Sequence, residues 1–261
     1  MFADVESGAT SSVGSLVSAA SSIVNRVSNG ADSTYADGPV SDYSRAYADQ
    51  MTVQKASVPH YHLTTVLNLD NLLNARDQLN MNALEGEEVA VNDFLLRAAA
   101  LAMKQVPQVN AAWMDTFIRQ FDNAHINVVM SSSGAVVAPV VAHAETLPVR
   151  AISAHVRHLQ TKVDSNNISG QELQGGTFTV SNMGMYGIST LSAIVSPMQS
   201  CSLGLGTIEN VLVPHAIHGY ASSAQMKATL ACDHRVVDGA IGAQWLAAFK
   251  GLAENPVQLL V

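Results

Sequence analysis

The stretch "MKATLACDHRVVDGAIGAQWLAAFKGL", residues 226 to 252, constrains the fold more than any other part of the chain. Met226, Ala228, Leu230 and Cys232 fall at every second position, the period of a strand that buries one face. The same parity carried forward assigns His234 to the inward side. Asp238 and Gly239 then turn the chain, and Ile241, Trp245, Phe249 and Leu252 recur at helical spacing as one buried face. A strand that hands over to a helix within a few residues, each needing cover on one side, demands a layered α/β body.

The same alternation of patterns runs from about residue 50. "YHLTTVLNL" alternates through Tyr61, Leu63, Thr65, Leu67 and Leu69 as a strand, and Asp70 is placed to cap the helix "NLLNARDQL". "VNDFLLRAAALAMKQVP" predicts a helix that opens on an Asn92 or Asp93 cap and stops before Pro107. "INVVMSSSGAVVAPVVA" predicts two strands around a Ser-Gly turn. Ile152, Val156, Leu159 and Val163 predict a third helix, and "GGTFTVSN" a strand opened by two glycines.

Residues 1–45 differ, being rich in Ser, Ala, Gly and Asp, and are read as an arm ahead of one domain over 46–261. Within the arm Val13, Leu16, Ala20, Ile23 and Val27 are spaced for a short amphipathic helix that docks on a partner. The arm has neither the layout of a signal peptide nor the arginines of a transit peptide.

Composition then excludes classes of function. Charged residues are 13% of the chain, about half the share of a typical soluble domain, and 48% is hydrophobic. No run of 18 apolar residues is present, so subunit contacts, rather than a membrane span, are expected to cover that surface. The apolar end "NPVQLLV" assigns Leu259, Leu260 and Val261 to such a contact. A net charge of −8 with no basic cluster argues against nucleic acid, whose binding rests on neutralised phosphates. Two cysteines, Cys201 and Cys232, make neither a disulfide framework nor a four-ligand zinc site, which fits a reducing compartment. Nine histidines without HExxH spacing indicate no metal.

Taken alone, an inward His234 is more often a core residue than a catalyst. Burying an imidazole away from counter-charge favours its neutral form, the form a general base needs. Cys232 invites a nucleophile reading, as in a thiol hydrolase, because thiol, His234 and Asp238 lie within seven residues. Strand geometry argues against it, since two residues along a strand are about 6 to 7 Å apart, and a small buried apolar role is the alternative.

The segment "DHRVVDGA" resembles the signature of the dihydrolipoamide acyltransferases, the core components of 2-oxoacid dehydrogenase complexes. "VPHYHLT" at 58–64, "VNDFLLRAAALAM" at 91–103, "PQVNAAW" at 107–113, "GGTFTVSNMGMYGI" at 175–188 and "ENPVQLL" at 254–260 resemble the same catalytic domain in order and spacing. The resemblance runs from about residue 45 to 261, and "SNMGMYGI" is most similar to the pyruvate branch, which favours acetyl as the acyl group. It implies an α/β, chloramphenicol-acetyltransferase-like fold, a mixed sheet with helices packed on it, in homotrimers that build cubic or dodecahedral particles. Coenzyme A and a lipoyl group are then the substrates, entering a channel between subunits from opposite ends. The compartment implied is the mitochondrial matrix or, alternatively, the bacterial cytoplasm.

Carried over by position, the resemblance makes His234 the base that takes the thiol proton and Ser181 the donor to the oxyanion. Asp238 organises the loop around the histidine, and as a helix N-cap it fills a structural role as well. Gly239 allows close packing, and Arg235 has an orienting or structural role. The segment "SRAYADQM" departs from the family by keeping Arg45 but placing Gln50 where a second basic residue is common, and the 147–163 helix is also poor in Lys and Arg. These departures weaken the expected hold on coenzyme A phosphates. No lipoyl-like hairpin lysine is read in the chain, so the lipoyl group is expected on another chain or a missing segment. The rival expectation is a structural subunit that reuses the trimeric core without catalysis.

Overall fold

The computed structural model describes residues 25–29, 33–38, 40, 42–84, 86–132, 135–165, 167–215 and 219–260. A hairpin of β1 (Asn25–Asn29) and β2 (Ser33–Asp37) leads into helix α1 (Asp42–Ser57), strand β3 (His60–Asn68) and helix α2 (Asp70–Asn80). Helix α3 (Val91–Gln105) is followed by the pair β4 (Ala111–Trp113) and β5 (Ile118–Gln120). Next come β6 (Ile126–Val128), β7 (Met130–Ser132), β8 (Ala135–Val137), β9 (Val140–Val141), α4 (Val149–Asp164) and β10 (Phe178–Asn182). Two long strands, β11 (Cys201–His215) and β12 (Gly219–Asp233), precede helix α5 (Gly239–Glu254). Residues 13, 16, 20 and 23 of the expected docking helix lie outside the described residues, whereas Val27 belongs to β1.

The main sheet has the order β3-β12-β11-β10-β6-β9. β10 runs parallel to both β11 and β6, and the other pairings are antiparallel, so the sheet is mixed as expected. Helices α3 and α5 pack on it. Trp245 of α5 lies 5.3 Å from Phe178 of β10 and stacks on Phe249 at the same distance. Phe94, Leu95 and Leu96 of α3 are fully buried in the same core.

The alternating face of β12 is buried as the pattern requires, at Met226, Ala228, Leu230 and Cys232. The parity does not reach His234. β12 ends at Asp233, whose carbonyl accepts from the amides of Val236 and Val237 and closes a turn. His234 sits on that turn and is exposed within its own chain, so the expectation of an inward imidazole is corrected.

Other expectations needed smaller corrections. Asp70 opens α2 but does not cap it; its carboxylate accepts from Ala224 N and from the Ser223 hydroxyl, both at 2.8 Å, and ties the helix to β12. In α3 the capping carboxylate is Asp93, which reaches back to Ala90 N at 2.8 Å from the third helical position. The two strands expected over 126–141 are each divided, because β6 pairs with β9 in the main sheet while β7 and β8 form their own hairpin. Leu259 is wholly buried in its own chain, which removes it from the expected subunit contact; Val257 (72%) and Leu260 (45%) are the exposed ones, and Val261 lies outside the described residues.

Candidate active site

β10 is buried along its length because it is paired on both sides, and its alternation places Thr179 and Ser181 on one face. That face lines a cavity of about 480 Å³. Helix α1 supplies Tyr47, Gln50 and Met51 to the opposite wall, so the position singled out for its missing charge, Gln50, lies in the cavity lining. No Lys or Arg is among the described lining residues.

Among the described residues four aliphatic hydroxyls line this cavity: Thr179, Ser181, Ser196 and Ser202. Thr179 donates to Gln199 Oε1 at 2.6 Å and has the Ser196 hydroxyl at 3.2 Å. Ser202 donates to the Thr179 carbonyl at 3.5 Å. Gln199 is fixed in turn, its amide donating to Asn127 Oδ1 and Gly176 O, both at 3.0 Å. Ser181 is 7% exposed, and its hydroxyl has no hydrogen-bond partner among the described residues. It is therefore the hydroxyl whose proton is free for a ligand. The Thr179–Gln199–Asn127 network escaped the sequence reading because its members come together only when β6, β10 and the 189–200 segment are assembled.

That segment is held from the other side by His60. Its Nδ1 donates to Val58 O at 2.9 Å, and its Nε2 accepts from Val195 N at 3.0 Å. The carbonyl can only accept and the amide only donate, so these two bonds define the tautomer. Ala193, Ile194 and Ser196, beside that anchor, line the Ser181 cavity.

His234 is presented by a turn braced on both flanks. Asp233, almost wholly buried, receives Arg235 Nε at 3.0 Å and Nη2 at 2.7 Å, and the guanidinium lies 5.3 Å over the Trp113 ring. Arg235 thus braces the turn through Asp233. The His234 amide donates to Pro59 O at 3.2 Å. Its imidazole packs on Tyr61, with ring centroids 4.9 Å apart. Asp238 caps α5, accepting from Ile241 N at 2.8 Å. Cys232 and Cys201 face each other across β11 and β12, both fully buried, and burial pushes the Cys201 thiol up. The Cys232 thiol is pushed the other way, chiefly by its hydrogen bond with Cys201, but complete burial shields it from any substrate, which makes the pair a core feature and not a nucleophile.

One chain does not bring His234 and Ser181 together. Ser181 pairs with Gly204, and Gly204 with Thr229, so His234 lies two strands across and five residues further along, roughly 10 Å and 17 Å respectively. His234 is not in the cavity lining. Asp238, four residues on, stays beside the histidine at the start of α5.

With that geometry in place, relatives are informative. The family model described as 2-oxoacid dehydrogenases acyltransferase (catalytic domain) matches residues 32–261. A mitochondrial dihydrolipoyllysine-residue acetyltransferase component of pyruvate dehydrogenase complex from Caenorhabditis elegans is 39% identical over 233 residues. Component 3 of the corresponding enzyme from Arabidopsis thaliana is 42% identical over 231 residues. Each alignment takes in 87% of this chain but only 46% and 43% of the relative, so the chain spans less than half their length. The crystal structure of a probable dihydrolipoamide acetyltransferase from Listeria monocytogenes superposes with a TM-score of 0.79 at 25% identity, covering 84% of this chain and 94% of that one. The fold, the matched span and the identities agree: the chain belongs to the 2-oxoacid dehydrogenase acyltransferases, by way of their catalytic domain.

Proposed function

We propose that this chain is an acyltransferase core that moves an acetyl group between dihydrolipoamide and coenzyme A. The observation that carries the reading is the Ser181 hydroxyl, shielded, without a partner, and turned into a cavity whose other aliphatic hydroxyls are engaged. The relatives' names support the acetyl group and the dihydrolipoyl partner, and coenzyme A follows from the family resemblance.

In the direction of acetyl-coenzyme A synthesis, the His234 imidazole takes the proton of the coenzyme A thiol. A thiol of pKa about 8.5 is only a few per cent ionised at neutral pH, so a base raises the nucleophile's population. The thiolate adds to the carbonyl carbon of acetyl-dihydrolipoamide, and the electron pair displaced onto oxygen accepts the Ser181 O–H. When the carbonyl reforms, the bond to the lipoyl sulfur breaks and that thiolate takes the proton back from His234. Asp238 keeps the histidine turn seated on α5 and does not move protons. The lipoyl group and coenzyme A are substrates here, the lipoyl group arriving on a chain or segment other than the residues described.

The distance between Ser181 and His234 within one chain supports a site shared between neighbouring copies, and with it a homotrimer that forms the cubic or dodecahedral particle of the resemblance. Residues 46–261 then form the catalytic core and 1–45 an arm. The proposed compartment is the mitochondrial matrix, a reading supported by two relatives named as mitochondrial, with the bacterial cytoplasm as the alternative.

The absence of Lys and Arg from the described cavity lining favours a second reading, a structural subunit that keeps the core without catalysis. Supplying purified protein with acetyl-coenzyme A and free dihydrolipoamide decides between them. Formation of acetyl-dihydrolipoamide supports the enzyme, and its absence from correctly assembled protein supports the scaffold.

A further inference from the structure

Tyr61 is the side chain that joins the two motif residues. Its ring meets the His234 imidazole at 4.9 Å with planes at 57°, and its hydroxyl donates to the Asp238 carbonyl at 2.7 Å. The Asp238 carboxylate meanwhile accepts from Ile241 N, so Tyr61 is bonded to the residue that starts α5. Neither imidazole nitrogen of His234 has a hydrogen-bond partner in its own chain among the described residues, so packing orients the ring there.

The backbone makes this contact inevitable. β3 pairs with β12 so that Tyr61 stands opposite Cys232 and His60 opposite Asp233. Gly242 of α5 leaves the room: a Cβ there would come within 3.0 Å of the Tyr61 hydroxyl and 2.9 Å of Leu63 Cδ1. Burial, then the neighbouring Cys232, push the phenol above its ordinary value, so it stays protonated and keeps donating.

We infer that Tyr61 is a positioning residue for His234: the ring restricts the imidazole to one orientation, and the hydroxyl holds the 234–237 turn against the start of α5. The inference rests on the reading of His234 as the base. Geometry at that level matters because displacing a reacting group by about 1 Å can cost roughly 10²-fold in rate.

The test uses acetyl transfer to free dihydrolipoamide by the assembled protein, together with crystal structures of each variant. Tyr61→Leu removes ring and hydroxyl and should lower kcat by roughly 10²-fold with KM changed less than about twofold. Tyr61→Phe keeps the ring and should restore most of that loss, leaving a deficit of about three- to tenfold. Leu63→Ala, on the same strand, matches a loss of melting temperature while keeping kcat. In the crystal, His234 should hold one rotamer in wild type and Tyr61→Phe and lose it in Tyr61→Leu. An unchanged His234 rotamer in Tyr61→Leu overturns the inference, as does a kcat loss that Leu63→Ala reproduces. Wild-type kcat in Tyr61→Leu beside an inactive His234→Ala overturns the role of Tyr61 alone. A His234→Ala variant as active as wild type, or a wild type without transfer, overturns the reading of His234 and the inference with it.

Discussion

Ser181 lies in β10 and His234 on the turn that follows β12 of the same sheet, so a single chain holds them roughly 20 Å apart, two strands and five residues of β12 and its turn separating their levels. If catalysis needs both, they come from different copies. Mixing subunits that carry Ser181→Ala with subunits that carry His234→Ala should therefore regenerate activity from two inactive parents. With random assembly in equal amounts, about a quarter of the intersubunit sites pair an intact serine with an intact histidine. Reassembled mixtures with no more activity than either parent would place both residues in the same subunit's site or remove one of them from it.

Ser181→Ala should reduce kcat by about 10² to 10³ with little change in KM, as for loss of one donor that meets charge only in the transition state. The fold should be unaffected, since the hydroxyl holds no other group in place among the described residues. Steady-state kinetics check this, and a rise in KM at constant kcat would instead assign the hydroxyl to ground-state binding.

His234→Ala should cost roughly 10² to 10⁴ in rate. Exposure of the side chain within its own chain means that the substitution leaves no cavity in the core, so subunit melting should hardly move. The residual rate should climb with pH as thiolate forms without help. A flat residual profile would show that proton removal from the thiol is not the step His234 assists.

Glu172 gives the stability a defined acid dependence. Its carboxylate accepts from Lys162 Nζ at 2.6 Å and from Ser169 N at 2.9 Å, and the Lys162 bond chiefly holds its pKa down at about 2 from an ordinary 4.5. A depressed folded value means stabilisation present above pH 4.5 and lost as pH falls toward 2. The side chain is 25% exposed, so after solvent screening the contribution is about 1 kcal/mol. Glu172→Gln should lower the urea midpoint at pH 7 and converge on wild type near pH 2. A constant difference across that range would exclude the ion pair as its source.

At the C-terminal end, burial separates neighbours with similar side chains. Leu259→Ala should destabilise the subunit by about 2 to 5 kcal/mol, the cost of emptying a filled core position. Val257→Asp and Leu260→Asp should leave subunit melting nearly unchanged and lower the mass of any particle larger than a trimer. Native mass spectrometry on the three variants distinguishes these effects.

Local pattern determined most of the elements. Period two set the buried faces of β3 and β12, and helical spacing set Ile152, Leu159 and Val163 of α4 and Trp245, Phe249 and Leu252 of α5. Asp238 was legible as the α5 cap because capping involves a backbone amide only three residues away. The residues of the candidate site were legible only through ordered motifs, since nothing in the spacing of Ser181 and His234 relates them physically. Tertiary structure decided what local pattern could not. Where β12 stops depends on the Asp233 and Arg235 brace and the Ser200 and Pro59 carbonyls, partners distant in the chain or folded back on it, so parity failed at His234. Asp70 became a tie to β12 because a neighbouring strand offered an amide and a hydroxyl that its own helix did not. Which cavity hydroxyl stays free was settled by Gln199 and Asn127, brought to Thr179 from remote stretches of chain. A strand's period requires only its own backbone, whereas a hydrogen bond's direction and a side chain's exposure require the partner to be in place.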